Sequence, residues 1–265
     1  MPASRLVFFA VFFFTCLAAQ PVKLPVYGAR KTIDGIRVDG KLDEFSWAAS
    51  PRVQSFRLIT DVDRRPAFPT EAAIVWDERN LYVAFACRDR EPWSRMKRRD
   101  DHLWEEEVVE VFLDPDGDGL NYPELEVSPN NVVVDLLIPK PRAGASTAIR
   151  WDIAGLETAV VRHAAGWTAE VAIPWKSLAE SGTSAAPKPG DQWRVGLYRI
   201  KRPGGPAKAD QIAALLKAPK DKPGVADELK KLRSSDEYQA WSPTRPERGF
   251  HDPERFGVVE FLDVP

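Results

Sequence analysis

Ala73-Ile74-Val75-Trp76-Asp77-Glu78-Arg79-Asn80-Leu81-Tyr82-Val83-Ala84-Phe85-Ala86-Cys87 decides the fold class. A short apolar run is followed by a polar turn cluster and then by a run in which Leu81, Val83, Phe85 and Cys87 alternate onto one face, the period-two signature of a half-buried strand. The rhythm recurs at Val108–Leu113, Val132–Ile138, Gly166–Ile173, Gln192–Ile200 and Val258–Leu262. Turn clusters at Asp114–Gly119, Ser128–Asn130, Ala164–Gly166 and Pro187–Gly190 separate the runs. Short strands with frequent turn signals predict an all-β protein, a two-sheet antiparallel β-sandwich rather than alternating βαβ units. One segment departs from the pattern. Residues 203–237 open on Pro203-Gly204-Gly205-Pro206, carry Ile212, Leu215, Leu216, Leu229 and Leu232 at helical spacing, and contain Pro219 and Pro223. They read as a surface insertion with one or two short helices.

The chain has 265 residues, 37 Lys and Arg against 39 Asp and Glu, and 9 Trp. A near-neutral balance argues against nucleic acid, since phosphate binding needs an excess of Lys and Arg. Residues 1–19 read as a secretory signal: Arg5, an apolar run from Leu6 to Leu17, and Leu17-Ala18-Ala19 before the cleavage point. That run is shorter than the ~20 residues that span a bilayer, so no transmembrane segment is expected in the mature chain. Export to the periplasm or the exterior follows. Phe13-Phe14-Thr15 lacks the small residue usual beside a lipidated Cys16, which favours a soluble form over a lipoprotein. Cleavage leaves Cys87 alone, expected as a buried, inert thiol.

The GxSxG, P-loop, GxGxxG, HExxH and CxxC signatures are all absent, and only His102, His163 and His251 could supply imidazole. Carboxylates remain. Glu110 and Glu126 could form a glycosidase pair, the competing enzyme reading. Alternation places Glu106, Val108, Glu110 and Phe112 on one side of a strand and Glu107, Val109, Val111 and Leu113 on the other. Glu110 therefore stands among apolar neighbours, either buried and paired or placed in a binding slot. Asp114, Asp116 and Asp118 have the spacing that starts a calcium loop, but the twelfth position is Leu125 rather than Glu, so a plain acidic turn and a calcium site both stay open. Trp47, Trp76, Trp167, Trp175 and Trp193 lie in or beside apolar runs and are expected in the core. Trp104 and Trp241 lie in polar, loop-like stretches, where a ring either caps the core edge or stacks on the apolar face of a sugar.

Six stretches in register resemble carbohydrate-binding module family 9. They are Asp39–Trp47, Trp76–Phe85, Leu103-Trp104 through Glu110–Pro115 with Tyr122–Glu126, Gly166–Trp175, Trp241-Ser242-Pro243, and Phe250–Gly257. The likeness spans residues 30–263, after an N-terminal linker at 20–29, and is nearest to secreted proteins made of one such domain. It implies a DOMON-like sandwich, often with structural calcium, that binds a poly- or oligosaccharide without catalysis, in keeping with a role in carbohydrate catabolism and with a monomer. It further implies that Trp104 and Trp241 are two clamp rings around a terminal sugar and that Glu110 is the hydroxyl-binding carboxylate. Tyr238 falls where a polar sugar contact is usual, and Arg199, Glu126 and His251 fall in stretches that line the same end. The insertion enters just before Trp241, where it could lid, extend or block the slot. Related DOMON-like domains bind haem, for which Met96 and His102 are the candidate axial ligands.

Overall fold

The computed structural model describes residues 22–141, 151–219 and 222–264; the signal segment 1–19, its cleavage site and Cys16 lie outside the described residues. The strands are β1 (Val26–Lys31), β2 (Arg57–Leu58), β3 (Thr70–Trp76), β4 (Asn80–Arg88), β5 (Val108–Asp114), β6 (Tyr122–Val127), β7 (Val133–Ile138), β8 (Glu157–His163), β9 (Gly166–Pro174), β10 (Gln192–Lys201), β11 (Glu237–Ala240) and β12 (Gly257–Leu262). A short α1 (Phe45–Ala49) follows β1, while α2 (Gly205–Leu216) and α3 (Val225–Arg233) occupy the insertion between β10 and β11. Among the described residues no helix is long and apolar enough to cross a membrane.

The strands form one curled path, β7-β6-β5-β10-β12-β1-β3-β4-β9-β8, with β11 and β2 branching from β10. The all-antiparallel expectation fails at β1, which pairs in parallel with both β12 and β3. The reason lies in the connection: parallel neighbours need a long crossover, and residues 32–69 supply it. Strand β10 also divides its partner on one edge, pairing through Gln192–Val195 with β12 and through Tyr198–Lys201 with β11.

The sheet folds back on itself, so alternate residues of both halves meet in one core. Val109, Val111, Leu113, Leu125, Val195 and Leu197 face Ile74, Val83, Phe85, Val171, Ile173 and Phe261. Trp76, Trp167, Trp175 and Trp193 join this core, and Trp47 packs in a satellite cluster outside β3, β4 and β9. Cys87 is buried there as an unpaired thiol, its pKa pushed up to about 11 by burial. The other face of β5, β6, β7 and β10 carries a second cluster of Val108, Phe112, Tyr122, Leu136, Ile138, Tyr198 and Ile200. The loop from β11 to β12 and the segment from β4 to β5 cover that face with Phe250, Phe256 and Leu103.

Candidate functional site

The register of β5 and β6 builds the site. Glu110 is the cross-strand partner of Glu126, and Phe112 that of Glu124, so the three glutamates share one face. Tyr198 of β10 lies opposite Glu110 on the other side. This face floors a cavity of about 310 Å³ lined by Trp104, Glu110, Phe112, Glu124, Glu126, Tyr238, Phe250 and His251 together with aliphatic side chains. That volume sits at the lower end of small-molecule sites.

Each wall has a local cause. A single 3-10 turn at Leu103–Glu105 buries Leu103 and leaves Trp104 half-buried at the mouth, where His102 stacks on it with ring centroids 4.6 Å apart. Arg202, just past β10, fixes the two aromatic lips. Its Nη2 donates to the Trp104 carbonyl at 2.8 Å, its Nη1 to the Tyr238 hydroxyl at 3.0 Å and to Asp236 at 2.8 Å, and its Nε to the Glu106 carbonyl at 3.2 Å. Phe250 stacks on Tyr198 at 4.3 Å, and His251 stacks on Phe112 at 5.3 Å. The side chains of Arg245 and Asp252 pair to pin this loop, with Arg245 Nε donating at 2.8 Å. Outside Trp104 and Tyr238, α2 supplies Ala209, Ile212, Ala213 and Leu216 to an adjoining cavity of about 460 Å³ that shares both rings. The insertion thus extends the slot sideways.

The floor is acidic and buried. Glu110, Glu124 and Glu126 are 2%, 4% and 1% exposed. Burial, above all, raises their pKa values. It takes Glu124 to about 8, and Glu110 and Glu126 well above the usual carboxylate range, with the neighbouring carboxylates adding to the latter two and Arg202 opposing at Glu110. His251 Nδ1 is 3.0 Å from the Tyr122 hydroxyl and its Nε2 is 3.8 Å from Glu124 Oε2. Burial lowers the imidazole pKa, which favours the neutral ring.

Trp104, Glu110, Glu126, Tyr238 and His251 therefore meet in one cavity; Trp241 and Arg199 do not. Trp241, expected as the second clamp ring, is 4% exposed in the central core, and its Nε1 donates to the Val195 carbonyl at 3.1 Å. It lies flat on Gly257, where a Cβ would come within 2.2 Å of the ring. It lies outside the cavity of Trp104 and instead lines a separate one of about 490 Å³ with Tyr27 and Arg52, whereas Tyr238 is the second half-buried ring that lines the Trp104 cavity. Arg199 sits on the opposite face of β10 with no exposed surface, its Nη2 donating to Asp89 at 2.9 Å. Lys201 joins it, 2.7 Å from Asp89 and 2.8 Å from Glu107. Alternation along Tyr198-Arg199-Ile200-Lys201 settles this, because neighbours on a strand point to opposite faces.

Sequence reasoning counted Glu124 among the clustered carboxylates without giving it a place in the site, and passed over Arg202 and Phe250. Glu124 had a signal, since it shares a face with Glu126 two residues on. Of the haem candidates, Met96 packs against the outer cluster and His102 lies on Trp104. Ligand atoms of Asp114, Asp116 and Asp118 converge within 4.8 Å, a hard-oxygen set of the kind calcium takes. The turn also closes without an ion, since Asp114 accepts from the amides of Gly117 and Gly119, each at 3.1 Å.

A solved carbohydrate-binding module of family 9 from Caldicellulosiruptor kristjanssonii, in complex with cellotriose, superposes with a TM-score of 0.58 at 14% identity, covering 91% of this chain and 95% of that one. A family 9 module from the same organism in complex with glucose gives a TM-score of 0.56 at 14% identity, covering 90% of this chain and 97% of that one. An extracellular protein of Arthroderma benhamiae is 25% identical over 52% of this chain and 65% of its own length. Endo-1,4-beta-xylanase A of Thermotoga neapolitana is 24% identical over 54% of this chain but only 12% of its own length. The chain thus spans under two thirds of the former relative and a small part of the latter. The family model described as carbohydrate family 9 binding domain-like matches residues 38–199. That match covers more than half of the sequence, and the fold agrees, so the chain belongs to the carbohydrate family 9 binding domain-like family.

Proposed function

We propose that this protein binds a carbohydrate in the cavity between Trp104 and Tyr238, without catalysing its cleavage. The observation that carries the reading is the pairing of two half-buried aromatic lips, locked by Arg202, with a carboxylate floor in a preformed cavity. Aromatic faces match the apolar face of a pyranose, and carboxylate oxygens accept its hydroxyl protons. Glu110 serves as hydroxyl acceptor, with Glu126 beside it and His251 at the rim. Family membership and sugar-bound neighbours support the reading, and glucose and cello-oligosaccharides are the first ligands to try. Asp114, Asp116 and Asp118 would hold a structural calcium bracing the β5–β6 turn. Export, with cleavage after Ala19, fits a role outside the cell in carbohydrate breakdown, and the extracellular relative supports it.

Glu110 and Glu126 stand side by side on adjacent strands of one wall, whereas a glycosidase sets its two carboxyls on either side of the scissile bond. Calorimetric titration with glucose and cellotriose tests the proposal. Binding is expected in the wild type and is expected to be lost in Trp104→Ala and Tyr238→Ala. Unchanged affinity in both variants would remove the cavity as the site, and Glu110-dependent turnover of aryl glycosides would make the protein a hydrolase.

A further inference from the structure

Nearly every buried carboxylate among the described residues has a visible partner. Asp89 and Glu107 meet Arg199 and Lys201, Asp135 meets Arg99, Asp236 meets Arg202 and Lys208, and Asp252 meets Arg245. Glu106 takes Arg95, Glu170 takes the Trp47 indole and two amides, and Glu237 takes the amides of Ala67 and Phe68. The exception is the cavity floor. Among the described residues no Lys or Arg forms an ion pair with Glu110, Glu124 or Glu126, while Glu124 Oε2 and both oxygens of Glu126 have no hydrogen-bond partner. Three buried acids cannot ionise together without compensation, and a bound cation would supply the positive charge that no side chain brings.

The geometry names the kind of charge. One oxygen from each glutamate lies within 4.8 Å of the other two. Some point therefore lies within about 2.8 Å of all three atoms, slightly more than the ~2.3–2.6 Å of a calcium–oxygen bond. The donors are all carboxylate oxygens with no thiolate, a set that suits hard cations over zinc or copper(I). Three carboxylates can offer up to six oxygens, and the open side toward Trp104 and Tyr238 leaves coordination positions for water or a ligand hydroxyl. We propose that Glu110, Glu124 and Glu126 hold a divalent hard cation, with calcium as the best match, at the floor of this cavity. The site shares its cavity with the sugar reading but stands on a separate observation.

The test uses the mature protein stripped with chelator and contains no sugar. Calorimetric titration with calcium chloride should show an ion in the wild type that Glu126→Gln and Glu124→Gln each weaken at least tenfold and that Asp116→Asn, in the acidic turn, retains. Terbium emission sensitised by Trp104 should appear in the wild type and vanish in Trp104→Phe, which leaves all three carboxylates in place should the Gln variants fail to fold. Absence of calcium binding in the wild type would mean protons neutralise the floor and would overturn the proposal. So would calcium binding that survives both Gln variants when each is combined with Asp116→Asn, which removes the turn as a second calcium site, or zinc binding in place of calcium. Cellotriose binding is titrated separately with and without calcium, so failure of the sugar reading leaves the cation result readable.

Discussion

Two buried groups of charge lie back to back on β5 and β10, and they are solved in opposite ways. On the core face Asp89 and Glu107 interlock with Arg199 and Lys201, two charges of each sign within 2.7–2.9 Å contacts. On the outer face Glu110, Glu124 and Glu126 stand together with no cationic side chain bonded to them. The effect shows in the acids themselves. Burial raises Glu107 to about 7 against the pull of Lys201, whereas Glu124 reaches about 8 and Glu110 and Glu126 go well above the carboxylate range. A balanced cluster is finished when the chain folds; an unbalanced one is finished by something else. The first serves the scaffold and the second is the place to look for a ligand.

Breaking the balanced side should cost most. Arg199→Met leaves Asp89 and Glu107 facing Lys201 alone in the interior, and equilibrium unfolding in urea is expected to show a loss of about 3–5 kcal/mol. Trp241→Ala, on that same core side, should remove about 3 kcal/mol through the cavity it leaves, while Trp104→Ala should cost under about 1 kcal/mol yet abolish sugar binding. A Trp241 variant of native stability would return that ring to the binding site. On the unbalanced side the sign reverses: burial disfavours the ionised form of Glu126, so in chelator Glu126→Gln should raise stability by about 1–2 kcal/mol at pH values above the ordinary carboxylate pKa, and the gain should vanish below it. A marked loss there would show that Glu126 is already satisfied. The smallest effect belongs to the loop that closes the acidic side. Burial raises the Asp252 carboxyl, but Arg245 more than offsets this and holds it below its usual value. Its stabilisation, about 1 kcal/mol, is therefore present above pH ~4 and lost as pH falls through the depressed native value. Asp252→Asn should flatten that part of the pH–stability curve.

Much of this was legible from alternation and turns. The period-two pattern placed Glu110 opposite Val109 and Val111 on β5, and five tryptophans beside apolar runs entered hydrophobic clusters. The helical spacing in 203–237 marked α2 and α3. What could not be read was direction and neighbourhood. Nothing in Val26–Lys31 says that its partners run parallel, because that follows from a crossover whose length carries no strand code. Trp241 misled for a related reason: Ser242-Pro243 reads as loop, but Gly257, sixteen residues later, clears the floor on which the ring lies. Arg199 and Arg202 are three residues apart on one edge, yet only the strand end after Lys201 lets Arg202 turn toward the cavity.

The parallel seat of β1 also sets a schedule. This strand, among the earliest described, bonds to β12 across about 230 residues of sequence, so the two halves of the sheet cannot be joined until nearly the whole chain is present. Until then β1 and β10, the two neighbours of β12, each expose an edge able to recruit another chain. The last described strand is thus the one that closes the sheet, and a chain released without it would keep both edges open.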